Sequence, residues 1–468
     1  MKVIEFIHDN IVWGLPSCIL ILTVGIYLTV KFRGMQFLKV GRSLKCMVKS
    51  ESDGEGEVST FGALCISMAA TLGTGKIIGV ATAVAAGGPG ALFWMLLAAI
   101  FGMATKYCEG FLAIRFRKKE KDGTIIGGPF MYIENGLGKK FKWLAIMFAI
   151  FGAFAGVMGT GTMTQMNSIN EAVNSVFAPS GKALINIFGN DVSIYAIVIT
   201  AVVTVCAAFA VIGGVQRISK LSTVLVPVMA IIFFLSCLSV VVFNITAVPQ
   251  ALWAIVSNAF SFKAVSGGFF GLAIMIALRE GISKGIFSNE AGLGSAPIAM
   301  ASAKSDDAVE QGLVCMGGTF VDTMVLCLTI GLGVVITGAY QDFEKIDITI
   351  NTFVRGLGIN YTISAVVVLI SILTFAFTTI IGWNVYGEKC VAYLTNNNKK
   401  WILVYKVLYV LSVAVTPFLT LEIIWKIASI ANGLMAIPNL LALLLLGGLV
   451  AKETREYFQK EKEAKLEK

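Results

Sequence analysis

The feature that most constrains this chain is a repeated one: apolar runs of about 20 residues or more, each long enough to cross the hydrocarbon of a bilayer. Eleven such runs follow one another, at about 10–32, 60–86, 90–115, 142–175, 192–213, 219–243, 264–288, 309–337, 360–386, 400–419 and 422–450. Only 14% of the residues are charged and the mean hydropathy is +0.82. A soluble domain carries about 25% charged residues, so a chain this apolar lacks the means to cover itself in water. The 468 residues therefore predict one polytopic all-α membrane domain in place of about three soluble ones.

The charges that remain are placed unevenly. With the N-terminus outside, 29 of the 37 basic residues fall on the cytoplasmic side, five fall outside, and Lys76, Lys406 and Lys426 lie within spans. Cytoplasmic loops concentrate Lys and Arg, so this asymmetry predicts an N-out, C-in protein of the cell membrane. The net charge of +9 is then a topology signal and not the footprint of a nucleic-acid partner. The first run is flanked by Glu5 and Asp9 before it and Lys31 and Arg33 after it, the reverse of a secretory leader, so it reads as a retained anchor. The tail from 451 to 468 reads as a charged cytoplasmic helix or a frayed end resting on anionic lipid.

Several kinds of chemistry have nothing to build on. The one histidine, His8, rules out a His-based metal site or triad. Nine cysteines, odd in number and mostly inside apolar runs, read as packing residues. No phosphate-binding G-x-x-x-x-G-K-[ST] string occurs, which argues against an ATP-driven pump. Repeated filter strings expected of a channel are missing as well. No cofactor is implied.

Glycine clusters point to the site. In span 2 the string Leu72-Gly73-Thr74-Gly75-Lys76 falls near the expected midplane, and glycine costs about 1 kcal/mol in a helix interior. Either small residues pack helices closely there, or the helix unwinds beside a cavity and offers carbonyls to a cation and N–H groups to a carboxylate. Span 7 carries a second cluster, Gly267-Gly268-Phe269-Phe270-Gly271. Five helices apart, the two spans run antiparallel, the pattern of an inverted-repeat transporter with its site at the midplane.

Six strings strengthen this: Ala70–Gly75, Gly87–Trp94, Phe101–Tyr107, Gly127–Tyr132, Gly285–Ile298 (GIFSNEAGLGSAPI) and Gly382–Glu388 (GWNVYGE). In this order they closely resemble the alanine or glycine:cation symporter family, over about residues 10 to 450. The resemblance implies a leucine-transporter-like 5+5 inverted repeat with one additional N-terminal helix. Its divisions would be 1–58, 59–243, 244–450 and the tail 451–468. It implies secondary active uptake of small neutral amino acids, alanine and glycine foremost, driven by Na⁺ or H⁺.

By the family pattern the substrate carboxylate would sit on backbone N–H groups around Thr74 and Gly75. Gln165, Phe269 and Thr379 would close its sides, and Trp383 would cap a pocket too small for long side chains. A sodium ion would use the carbonyls of Ala69, Leu72 and Phe375 and the hydroxyls of Thr378 and Thr379. Lys76 departs from the family's usual asparagine. About 24 Å into its span, its ammonium is costly unless paired or hydrated, so it is expected to face the cavity and to replace one coupling cation. The alternative is a structural pair with a carboxylate such as Glu280 or Glu290. Arg279, Glu280 and Lys284 are expected in the cytoplasmic half of span 7, Met300 stands where the family usually has His, and Glu109, Glu290 and Asp322 are expected on cytoplasmic-side bases or helix ends. Other functional readings are a sodium-independent or proton-coupled transporter, an exchanger, and a sensor descended from a transporter. Oligomeric state and the particular amino acid are not legible.

Overall fold

The computed structural model describes residues 2–48, 54–177, 184–187, 190–260, 272–418 and 422–466. Among these, nine helices are long and apolar enough to cross a membrane, and the pair Thr60–Thr71 and Gly75–Gly87 makes a tenth span bent by 52°. The eleventh is span 7, built from Leu272–Asn289 and Ala296–Met300. Arg279, Glu280 and Lys284 make it too polar for a hydropathy window to find, yet it packs along span 3, Gly90–Arg115. Ten of the eleven expected spans are thus present, with shifted bounds, and span 7 is described from Leu272 onward; span 1 covers Val3–Lys31 and span 9 covers Tyr361–Leu394.

Burial sorts the spans into a centre and a rim. In spans 3 and 9, 67% of the apolar window is buried, against 33% in spans 5, 6 and 10 (Ile194–Ile212, Gly214–Phe243 and Lys399–Phe418). The rim spans turn Val205, Phe209, Ile231 and Leu403 outward, which is stable only against lipid. The centre holds Tyr107, Phe148, Trp383 and Tyr386, fully buried.

Local rules set the helix ends. Ser59 Oγ accepts from the Gly62 N–H at 3.0 Å to start the first half of span 2, and Asp307 caps Glu310 at 3.0 Å to start span 8, Ala308–Thr337. Such caps satisfy N–H groups that the helix leaves orphaned. At the end of the bundle that carries the loops 33–59 and 116–141, Arg117 donates to the carbonyls of Ala301, Ala303 and Ser305 at 2.6–2.9 Å. There Lys389 also binds Glu57 at 2.7 Å and the Ile125 carbonyl at 2.8 Å. The Arg117 bonds latch the residues just after the short second half of span 7, and the Lys389 bonds tie span 9 to the neighbouring loops. The tail is helical through Leu466, with Arg42 paired to Glu461 and stacked over Tyr457.

The expected break at Gly267–Gly271, with Phe269, lies outside the described residues. Within them, span 7 is interrupted at Glu290–Ser295, where Gly292 (φ +87°) and Gly294 (φ +79°) adopt left-handed backbone that an L side chain rarely tolerates. Glu109 of span 3 braces this break: its carboxylate accepts from the N–H groups of Gly292 (3.1 Å) and Gly294 (3.2 Å) and from the Asn439 amide (2.7 Å).

Candidate functional site

The first break opens where the glycines are. Leu72 ends the first half-helix, and a π-helical turn, Gly75–Gly79, begins the second. The freed Thr74 N–H and its hydroxyl both reach Gln165 Oε1, at 3.2 and 3.1 Å. Gln165 is held in turn by donating to the Thr160 carbonyl at 3.0 Å. That carbonyl belongs to a third irregular stretch, Gly159–Thr162, which interrupts span 4. The repeat of the Gly-Thr-Gly triplet at 159–161 is the sequence signal that would have found it.

Gly73 is needed here for space. A Cβ on it would stand 2.9 Å from Thr379 Oγ1 and 3.2 Å from both amide atoms of Gln165. Spans 2, 4 and 9 therefore converge on one residue. Across the contact, the Thr379 hydroxyl lies 2.9 Å from the Ala69 carbonyl and 3.0 Å from the Phe375 carbonyl, and Thr378 Oγ1 lies 2.9 Å from the same Phe375 oxygen. Four of the five residues expected to ligate sodium thus bring oxygens together, and Leu72 follows Ala69 at the end of the half-helix. Neutral oxygens of this kind suit a hard monovalent cation.

Thr74 and Gly75 line a cavity of about 400 Å³, with Thr164 and Ser168 of span 4 and Phe287 of span 7. Phe287 was not singled out from sequence; it stands edge-on to Trp13 of span 1, ring centroids 5.8 Å apart. The cavity continues past Ile78 and Thr82 to Arg279, Glu280 and Lys284, together with His8 and Lys426. This corrects the expected position of Arg279, Glu280 and Lys284. They lie at the end of the bundle where the chain starts, because span 7 reaches the level of Lys76 only at Ser288. Gln165, Thr379 and Trp383 are buried beside the cavity and do not line it. Trp383 packs edge-on to Tyr386 at 5.3 Å and against Gly161, where a Cβ would stand 2.6 Å from its own Cβ.

Lys76 also departs from expectation. Its side chain is fully buried and does not line the cavity. The ammonium donates to the Ser288 carbonyl at 2.5 Å and the Ser288 hydroxyl at 2.6 Å, and lies 2.6 and 2.7 Å from the two carboxylate oxygens of Asp322. The partner carboxylate is neither Glu280 nor Glu290, and Asp322 sits on a midplane lysine in place of a cytoplasmic base or helix end. Glu290 instead accepts from the Ser295 hydroxyl. Lys106, assigned to the cytoplasmic side by its position in sequence, is buried within span 3. With Arg279 and Lys284 it leaves the count of loop bases, and a large majority still lies at the loop end.

Known proteins place this geometry. The family described as the sodium:alanine symporter family matches residues 1–468. The chain is 40% identical over 458 residues to the sodium/alanine symporter AgcS of Methanococcus maripaludis, covering 96% of this chain and 95% of that protein. It is 43% identical over 452 residues to an uncharacterized transporter of Haemophilus influenzae, covering 97% and 95%. Among solved structures, MhsT in complex with L-phenylalanine superposes with a TM-score of 0.52 at 11% identity, over 86% of this chain and 98% of that one. At that identity the likeness bears on the fold alone, and it agrees with a leucine-transporter-like bundle. The chain belongs to the sodium:alanine symporter family and is a multi-pass, cation-coupled amino-acid symporter, not an enzyme.

Proposed function

We propose that this protein imports small neutral amino acids, alanine and glycine, together with Na⁺, with its N-terminus outside and its C-terminus in the cytoplasm. The observation that carries the reading is the adjacency of two sites at one break. Backbone N–H groups at Thr74 and Gly75 border the cavity, and the oxygens of Ala69, Phe375, Thr378 and Thr379 converge within 3.0 Å on the other side of Gly73. The first suits a carboxylate at the start of a half-helix; the second suits the coupling cation. Gln165 and Thr379 form the wall between them, and Leu72 completes the cation's ligand set. Trp383, one helical turn beyond Thr379, does not line the cavity in this conformation and would limit the length of the substrate side chain once the site closes on it. Spans 2–6 and 7–11 act as the two repeats. The cavity reaches the outer face while the Arg117 and Lys389 bonds hold the inner face shut, so the conformation is outward-facing.

Lys76 takes the place of one cation in this scheme. Four oxygen contacts at 2.5–2.7 Å, from Ser288 and the carboxylate of Asp322, surround its ammonium as hard donors would surround a metal ion. One transported Na⁺ is then sufficient. Uptake of labelled alanine and glycine into proteoliposomes tests this. The natural protein should respond to Na⁺ with a Hill coefficient of about 1, and Lys76→Asn with a steeper response approaching 2. Unchanged sodium dependence in Lys76→Asn would overturn the stand-in role. Uptake driven by a pH gradient alone would replace Na⁺ with H⁺ as the coupling ion, dependence on neither gradient would favour exchange, and binding without uptake would favour a sensor.

A further inference from the structure

A second buried ammonium lies close to the first. Lys106 sits nine residues from the end of Gly90–Arg115, about 13 Å from it along the helix axis. It is 3% exposed and, among the described residues, makes no hydrogen bond and no ion pair. A buried ammonium without acceptors is strongly unfavourable, so its surroundings have to supply them. They form a small chamber of about 20 Å³, lined by Lys106, Asn289 and Asp322 together with Ser67, Thr71 and Thr319. That is room for one water molecule, with ample polar partners.

Asp322 thereby touches both lysines' surroundings. It grips Lys76 directly and shares the chamber with Lys106. The charge of Lys106 also acts on Glu109 and Glu290. Neither lines the chamber, however: one oxygen of Glu109 accepts from Gly292, Gly294 and Asn439, and Glu290 accepts from Ser295. Asp322 is the carboxylate that lines the chamber.

Asp322 and Lys76 both sit on adjustable backbone. Asp322 lies in the π-helical stretch Phe320–Cys327 and Lys76 in the π-helical turn Gly75–Gly79, a geometry that is rare and recurs where helices serve function. The other chamber walls come from Thr60–Thr71 and Ala296–Met300, the half-helices that flank the two breaks.

We propose that Lys106 is a second counter-ion for Asp322, and that the carboxylate passes from Lys76 to Lys106 across the chamber when the half-helices shift. Lys76 is then released without leaving the carboxylate unpaired in a dry interior. The transport consequence rests on the coupling scheme proposed above; the exchange of partners does not.

Thermal unfolding of the purified full-length protein in one lipid–detergent mixture tests the exchange, with Lys76→Met, Lys106→Met, the double variant, and the double variant carrying Asp322→Asn. The double variant should lose more stability than the two single losses added, because only then has Asp322 no cation, and Asp322→Asn should restore most of it. Additive single effects, or no rescue by Asp322→Asn, would overturn the proposal. Should the double variant fail to fold, the triple variant must still fold. Unfolding needs no substrate, so this result stands even if alanine is not transported. In proteoliposomes Lys106→Met should lower the maximal rate of alanine uptake about tenfold or more with KM changed less than about twofold. An unchanged maximal rate would overturn the switching role.

Discussion

Replacing Gly73 by alanine would put a methyl carbon 2.9 Å from the Thr379 hydroxyl and 3.2 Å from both amide atoms of Gln165. Ordinary contact needs about 3.5 Å, so the hydroxyl must retreat by roughly 0.5 Å and the amide by less. Thr379 then loses part of its bond to the Ala69 carbonyl, and Gln165 part of its hold on Thr74. Each weakened bond costs about 0.5–1.5 kcal/mol, and overpacking of this kind totals about 1–3 kcal/mol. Gly75, two residues on, provides the internal comparison. A Cβ there meets only the Phe287 ring, at 3.5 Å, and the backbone is not left-handed. Gly75→Ala should therefore be neutral or stabilising by about 0.4–1 kcal/mol, through the smaller entropy of its unfolded chain. Thermal unfolding of the two purified variants, followed by tryptophan fluorescence, should move them in opposite directions from the natural protein. If Thr379 also ligates the coupling cation, Gly73→Ala should raise the half-saturating Na⁺ concentration about tenfold or more. Equal stabilities for the two variants, or a Gly73→Ala variant as stable as the natural protein, would refute the reasoning.

Substitutions at three other positions probe the same core, with Gly448 as a control. Gly382→Ala would set a Cβ 2.9 Å from the Ala70 backbone nitrogen, which cannot turn aside as a side chain can, so unfolding measurements should show a loss of about 1–3 kcal/mol; Gly448→Ala, with nothing within 4 Å, should show none. Glu109→Ala removes the acceptor for the N–H groups of Gly292 and Gly294 and should cost about 1–3 kcal/mol for each group left unsatisfied, whereas Glu109→Gln, which keeps one acceptor oxygen, should retain more of the stability in the same assay. Trp383→Ala should cost about 3–5 kcal/mol through lost packing alone. Trp383→Phe keeps an aromatic partner for Tyr386, and if the indole limits substrate length, leucine should compete with alanine uptake in this variant and not in the natural protein.

Apolar runs and glycine content made much of the molecule legible in advance, because both act locally. A run of 20 apolar residues must cross hydrocarbon wherever its neighbours lie, and a Gly-Thr-Gly triplet weakens whatever helix contains it. Ten of the eleven spans and the first break follow from this, and Thr379 of span 9 lies against the Ala69 carbonyl of span 2. The interruption at Glu290–Ser295 was not legible locally, because the left-handed backbone of Gly292 and Gly294 is fixed by Glu109 and Asn439 from spans 3 and 11.

Burial of charge was the part that sequence order misassigned. Hydropathy placed Lys106 with the loop bases because it precedes a basic loop, and placed Arg279 and Lys284 with the loop bases because they approach the end of a predicted run. The chain by itself determined that Lys76 had to find oxygen acceptors, since an ammonium at that depth cannot stay bare. Only the tertiary structure decided that the acceptors are Ser288 and Asp322, more than 200 residues away along the chain. A hydrogen bond of 2.6 Å depends on where two helices cross, and that crossing is set by the packing of the whole bundle.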